Sequence, residues 1–259
     1  MSAKLEDGNV RAALRILMLD DSPVIPSPQS LNAMLEKHPP SSAALTDLPV
    51  SDPQQCISVE EPEARQAVFS FSTGSAGGPR GLRPQHIHDL IMSCEAGTEF
   101  LGALTAFVNL VLAGRCPSDV APVFFGGRLL ALSEKSGGFR PIVVGITLRR
   151  LASKCANSFG INHLKAYFYP HQLGVGTPSG CEAAIHAARR YLESLSSDHV
   201  LVKLDFTNAF NSLHRREMLL SVYSKIPEEG PQQGDPVGPL LFSNTIHRTL
   251  SSLKSCLNL

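Results

Sequence analysis

No apolar run in this chain approaches the roughly 18 to 20 residues that a membrane span requires. The opening segment, Met-Ser-Ala-Lys-Leu-Glu-Asp-Gly, has no apolar signal core, so secretion is not expected. The six cysteines, at 56, 94, 116, 155, 181 and 256, include no Cys-x-x-Cys pair. That spacing argues against a zinc site or a disulfide framework and predicts reduced, intracellular thiols, with nucleus or cytoplasm left open. The glycine-rich stretch 72–81 is followed by no Gly-Lys-Ser/Thr, which excludes a P-loop and leaves a flexible turn. His86-Ile-His88 has no third ligand in view and reads as a pair of helix-surface histidines. Leu17-Met-Leu-Asp-Asp21 lacks the later strand-end Asp and Lys that an acidic phosphorylation pocket requires, and reads as a helix end.

What remains is a chain of 259 residues, 43% apolar, long enough for one large domain or two small ones. A net charge of zero conceals an asymmetry. Residues 1–64 hold four Lys+Arg against ten Asp+Glu, a balance of −6, and residues 65–259 hold 19 against 13, a balance of +6. A basic excess of that size suits phosphate contacts, and a merely solvated surface has the same composition.

Periodicity divides the chain further. Residues 3–19 form an amphipathic pattern with Leu5, Val10, Leu14 and Leu17 near one face, and residues 30–37 suggest a second short helix. Residues 39–64, rich in Pro, Ser and acid, read as a linker, which gives domains of 1–64 and 65–259. Residues 87–113 are mostly helix, with Leu101, Leu104, Val108, Val111 and Leu112 as the buried stripe. Residues 129–132 and 142–144 are predicted strands joined by a basic hairpin, residues 135–140. Residues 148–156 are helical, and Ser179-Gly-Cys-Glu182 forms a capping box before a helix carrying Ile185, Ala188, Leu192 and Leu195. Helices beside a small sheet, without regular βαβ alternation, predict an α+β fold.

The most informative stretch is 200–215, Val-Leu-Val-Lys-Leu-Asp-Phe-Thr-Asn-Ala-Phe-Asn-Ser-Leu-His-Arg. Val200, Val202 and Leu204 alternate with Leu201, Lys203 and Asp205, which predicts a strand ending on a carboxylate. Phe210, Leu213, Glu217 and Leu220 follow at helical spacing, with Asn208 as the cap. A strand-end carboxylate suits a hard cation such as Mg²⁺, and it also suits a plain turn. Downstream lies Gly230-Pro-Gln-Gln-Gly-Asp-Pro-Val-Gly-Pro-Leu-Leu-Phe242. The two segments resemble the first catalytic-carboxylate motif and the glutamine-glycine motif of reverse transcriptases, most closely those of non-LTR (LINE-type) retrotransposons. Three further blocks resemble the same family in the same order: Gly77-Gly-Pro-Arg-Gly-Leu-Arg-Pro-Gln-His86, residues 130–145 and residues 171–182.

The resemblance implies the fingers and palm of a right-hand polymerase fold, with no thumb, behind a small helical and linker region. It implies an RNA template, a DNA primer and a dNTP as partners, no membrane, and Mg²⁺ as the cofactor of the intact family. By resemblance, Asp205 is the first metal ligand, with the backbone carbonyl of Phe206 beside it. Lys135 and Arg140 grip the triphosphate. Phe210 lies under the incoming sugar and disfavours a 2′-hydroxyl, and Gln233 and Gly234 touch the incoming nucleotide and template base. Two departures stand out. The family's second acidic motif, an aromatic-x-Asp-Asp hairpin, follows the Gln-Gly motif, yet no Asp or Glu occurs after Asp235. The interval between Asp205 and Gln233 is also short for the family, as an internal deletion makes it. The expectation is a shortened domain that holds Mg²⁺ weakly and does not polymerise. A nucleic-acid-binding remnant and a gene fragment without function are the alternatives.

Overall fold

The computed structural model describes residues 5, 8, 10–18, 23–38, 56–93, 95–133, 137–206, 208–223 and 238–257. These fall into two compact units, one ending at Ala156 and the other beginning at Asn157. Helices predominate, beside a single two-stranded antiparallel sheet among the described residues, which agrees with the α+β expectation at that coarse level. No helix among the described residues is long and apolar enough to cross a membrane.

The first unit opens with α1 (Val10–Leu17) and α2 (Pro28–Glu36). Ser27 caps α2 in a reciprocal box with Ser30, and Pro28 occupies the first turn, where its missing N–H costs nothing. Between these helices the chain touches the sheet edge: Pro23 bridges Leu132, and the Val24 N–H donates to the Ala131 carbonyl at 2.9 Å. α1 departs from the expected face. Ala13 is buried, while Val10, Leu14 and Leu17, and Leu5 before the helix, are all at least half exposed.

The core follows from α3 (Glu61–Phe69), α4 (Pro84–Ile91) and α5 (Gly97–Leu112). Leu101, Leu104 and Val108 of α5 are buried, as their three- and four-residue spacing predicts. Val59, Ala67, Val68, Ile87, Leu104 and Val108 join Leu151, Ala152 and Cys155 in one apolar cluster. Residues 57–64 are therefore not the linker that composition suggests. Ile57 and Val59 are buried, α3 begins at Glu61, and a boundary at residue 64 falls inside that helix. Asn109 fixes this stretch: its Oδ1 accepts from the Val59 N–H at 2.9 Å, and its Nδ2 donates to the Val59 carbonyl at 3.0 Å. Residues 39–55 of the expected linker lie outside the described residues.

After α6 (Ala121–Phe124) comes the hairpin of β1 (Gly127–Ser133) and β2 (Phe139–Gly145). Gly127 pairs with Gly145 and Ser133 with Phe139, so both strands run beyond the segments read from sequence. α7 (Thr147–Phe168) is likewise longer than its predicted stretch, and the division between the units falls within it.

The second unit holds the remainder of α7, then α8 (Gly180–Ser194), α9 (Ala209–Ser212), α10 (Arg215–Tyr223) and α11 (Gly238–Leu257). Leu164, Phe168 and Leu240 form one small cluster, and Met218, Val222 and Leu241 another. Gln172 Nε2 donates to the Ser243 carbonyl at 2.8 Å and lies 2.9 Å from the buried His247 ring.

Four local expectations fail here. The predicted strand 200–204 does not form: residues 200–206 are neither strand nor helix, and all are exposed. A strand needs a neighbour for its N–H and C=O groups, and the described residues supply none. The expected helix after Asn208 is split into α9 and α10, with Leu213 extended between them. Asn208 precedes α9 but sits in the left-handed region at φ 53°, with its Oδ1 accepting from Asn211 Nδ2 at 2.9 Å and no cap bond to the backbone. Ser179 precedes α8 at φ 51°, also without a side-chain cap, so the Ser179–Glu182 capping box is not made. In both cases the helix is preceded by a residue in the left-handed region, whereas a side-chain cap ordinarily comes from an extended residue.

Candidate functional site

Two groups of candidate residues occupy the two units. In the first, the glycine-rich block 77–86 closes against the sheet end. A short turn of 3₁₀ helix, Gly78–Arg80, carries Gly78 at φ +66°, and a Cβ there would lie 2.5 Å from the Gly145 carbonyl oxygen. Both the positive φ and the close approach require glycine. Thr147 Oγ1 donates to the Leu82 carbonyl, and Arg150 Nη1 donates to the Ala76 carbonyl at 2.6 Å. The blocks 77–86 and 130–145 are thereby brought together at the start of α7.

Arg140 is exposed on β2, opposite Leu132 across the ladder. It thus stands on a strand, one residue inside the Ser133–Phe139 pair that closes the hairpin, rather than in the connecting loop. Lys135, its expected companion, lies outside the described residues.

The structure adds cations that sequence reasoning missed. The Arg150 guanidinium lies 5.2 Å and the Lys154 ammonium 4.7 Å from the Phe71 ring centroid. Lys154 Nζ also donates to Ser70 Oγ at 2.9 Å. Burial and the like charge of Arg150 hold the Lys154 ammonium below its ordinary pKa. Arg65 covers Phe69 at 4.5 Å, and Phe69 packs on His88. The available signal was the four-residue spacing of Arg150 and Lys154, which places both on one helical face. Arg149 is different: it is buried, and its Nη1 donates to the Phe125 carbonyl at 2.6 Å. His86 and His88 make local bonds, His86 to Arg83 and His88 to Asp89, as helix-surface residues do.

In the second unit, Asp205 and Phe206 stand in the exposed segment 200–206, which is neither strand nor helix. Phe206 and Phe210 both meet Phe242 of α11, with ring centroids 6.3 Å and 5.4 Å apart. The carboxylate block is thereby joined to the end of the glutamine-glycine block through three aromatic rings. Gln233 and Gly234 lie outside the described residues, as do Asp20 and Asp21.

The donor set at Asp205 does not suit the magnesium chemistry that the resemblance implies. One carboxylate and one backbone carbonyl are too few oxygens to anchor two Mg²⁺ ions. Among the described residues no three His, Cys, Asp or Glu side chains gather as a metal site. The arrangement offers instead a basic face interleaved with aromatic rings in one unit, and an exposed apolar segment bearing Lys203 and Asp205 in the other. No family model matches the sequence, and no curated protein matches it either.

Proposed function

We propose that the chain is a reverse transcriptase-like domain derived from a non-LTR retrotransposon, and that these 259 residues do not catalyse DNA synthesis. The observation that carries the descent is the order of five sequence blocks between residues 74 and 242. The packing of Gly78 on Gly145, and of Phe206 and Phe210 on Phe242, is compatible with blocks that belong together. The loss of activity rests on chemistry. In-line phosphoryl transfer needs several carboxylates to hold two cations against the attacking and leaving oxygens, and Asp205 is one. Primer extension on an RNA template with Mg²⁺ or Mn²⁺ is expected to give no product. Extension that disappears in Asp205→Asn would refute the inactive reading.

A nonenzymatic role in binding nucleic acid is the second reading, favoured by the cations around Phe71 and the +6 balance after residue 64. Backbone contacts of this kind are sequence-independent, and each phosphate neutralised contributes about −0.9 to the slope of log affinity against log salt on duplex DNA. Titration of labelled RNA–DNA duplex is expected to show weak binding that falls steeply with salt. Arg150→Glu and Lys154→Glu should each reduce the slope, and tight binding indifferent to salt would reject this reading.

A further inference from the structure

Val200, Leu201, Val202, Leu204 and Phe206 are 81, 51, 70, 71 and 59% exposed. No backbone hydrogen bond ties residues 200–206 to any other segment among the described residues. An apolar stretch outside helix and sheet, whose N–H and C=O groups pair with no other described segment, is a template for strand addition. Its charges identify the complementary strand. Antiparallel self-pairing about Leu204 sets Leu204 against Leu204 and Val202 against Phe206. Lys203 of each copy then faces Asp205 of the other. Shifting the axis to residue 203 opposes lysine to lysine, and shifting it to residue 205 opposes aspartate to aspartate. A parallel in-register pair does both. The two-fold register at Leu204 alone aligns apolar with apolar and cation with anion.

We propose that residues 202–206 form an isologous β-ribbon between two copies of this chain, with Leu204 on the two-fold axis and two reciprocal Lys203–Asp205 pairs. A two-stranded ribbon alone is marginal and needs an apolar layer beneath it. Helix α8 of the same unit supplies an uncovered row, with Ile185 and Leu192 about half exposed. The proposal is independent of the polymerase reading.

Sedimentation of the full chain across a concentration series reads the assembly. The expected species has twice the 27.8 kDa mass of the chain. Lys203→Asp and Asp205→Lys each turn both cross-strand pairs repulsive, which should weaken dimerisation on the order of tenfold or more. The double exchange Lys203→Asp/Asp205→Lys should restore it, and an equimolar mixture of the two single variants should form a heterodimer. Independently, Leu204→Cys places two thiols opposite each other at antiparallel spacing. Oxidised glutathione should then give a disulfide joining the two position-204 thiols, identified by peptide mass against Cys56 and Cys181. A monomer at all concentrations, open aggregates, a dimer indifferent to the charge reversals, or no position-204 crosslink would each overturn the ribbon.

Discussion

The two units solve the same problem with unequal means. In the first, nine buried residues from residues 56–60, α3, α4, α5 and α7 form one apolar cluster, and the hairpin pairs seven residues on each strand. Among the described residues of the second, two clusters of three buried residues hold the helices, and α8 and residues 200–206 keep their apolar side chains largely in solvent. The lesson is that amphipathic sequence is no measure of folded stability. Burial is, and burial requires a surface to pack against.

The sharpest break of this comparison is Leu151→Ala. Leu151 is fully buried in the large cluster, so its truncation removes apolar contact and leaves a cavity. A loss of about 2–5 kcal/mol is expected, read from the urea midpoint at unchanged slope. A cost below about 1 kcal/mol would mean that the first unit is no better packed than the second.

Asn109→Leu tests a different bond of the same unit. The Asn109 amide pairs both backbone groups of Val59, which is buried. Leucine fills the volume but leaves one N–H and one C=O unsatisfied, at a cost of about 1–3 kcal/mol. Faster hydrogen exchange at the Val59 amide should accompany it.

These two sites also mark what the sequence discloses. The α5 stripe Leu101, Leu104 and Val108 was legible because spacing alone decides which face of a helix is apolar. The hairpin was legible because both of its strands are present. The Asn109–Val59 pair was not, since nothing local connects two residues so far apart in the chain. Residues 200–204 carry a clear strand pattern and form no strand, because pairing depends on a partner outside the pattern. Leu14 and Leu17 failed similarly: periodicity showed an apolar face, but not that both leucines would stay exposed while the small Ala13 is buried. Ser179 and Asn208 have the right side chains for caps, yet both stand in the left-handed region and make no cap bond. At the candidate site, Asp205 and Phe210 were located by motif, while Arg150 and Lys154 needed the fold to bring them to Phe71.

Cys155 gives a pH-dependent test of burial in the first unit. Burial, with the Glu63 charge second, pushes its thiol up from 9.0 to about 11. The folded state thus holds its proton more tightly than the unfolded chain does. The associated stability is fully present below pH 9.0 and is lost as pH rises through about 11. Wild type should therefore lose more stability between these pH values than Cys155→Ala, by on the order of 2 kcal/mol. At pH 8 the exposed Cys56 and Cys181 should alkylate on the order of tenfold or more faster than Cys155. Equal labelling rates would place the Cys155 thiol at the surface.

The smallest effect is expected from Ile185→Ala in the second unit. Ile185 is 52% exposed on α8, and alanine has the higher helix propensity, so the lost contact and the gained propensity nearly cancel. Stability should change by no more than about 0.5 kcal/mol at protein concentrations where the chain is monomeric. A loss above about 1 kcal/mol under those conditions would mean that α8 is packed within the single chain, and the contrast between the units would disappear. A loss that emerges only as concentration rises has another meaning. It would place Ile185 under a second copy, because linkage to assembly makes stability depend on protein concentration. The same variant thus separates a poorly packed unit from one whose packing is completed between chains.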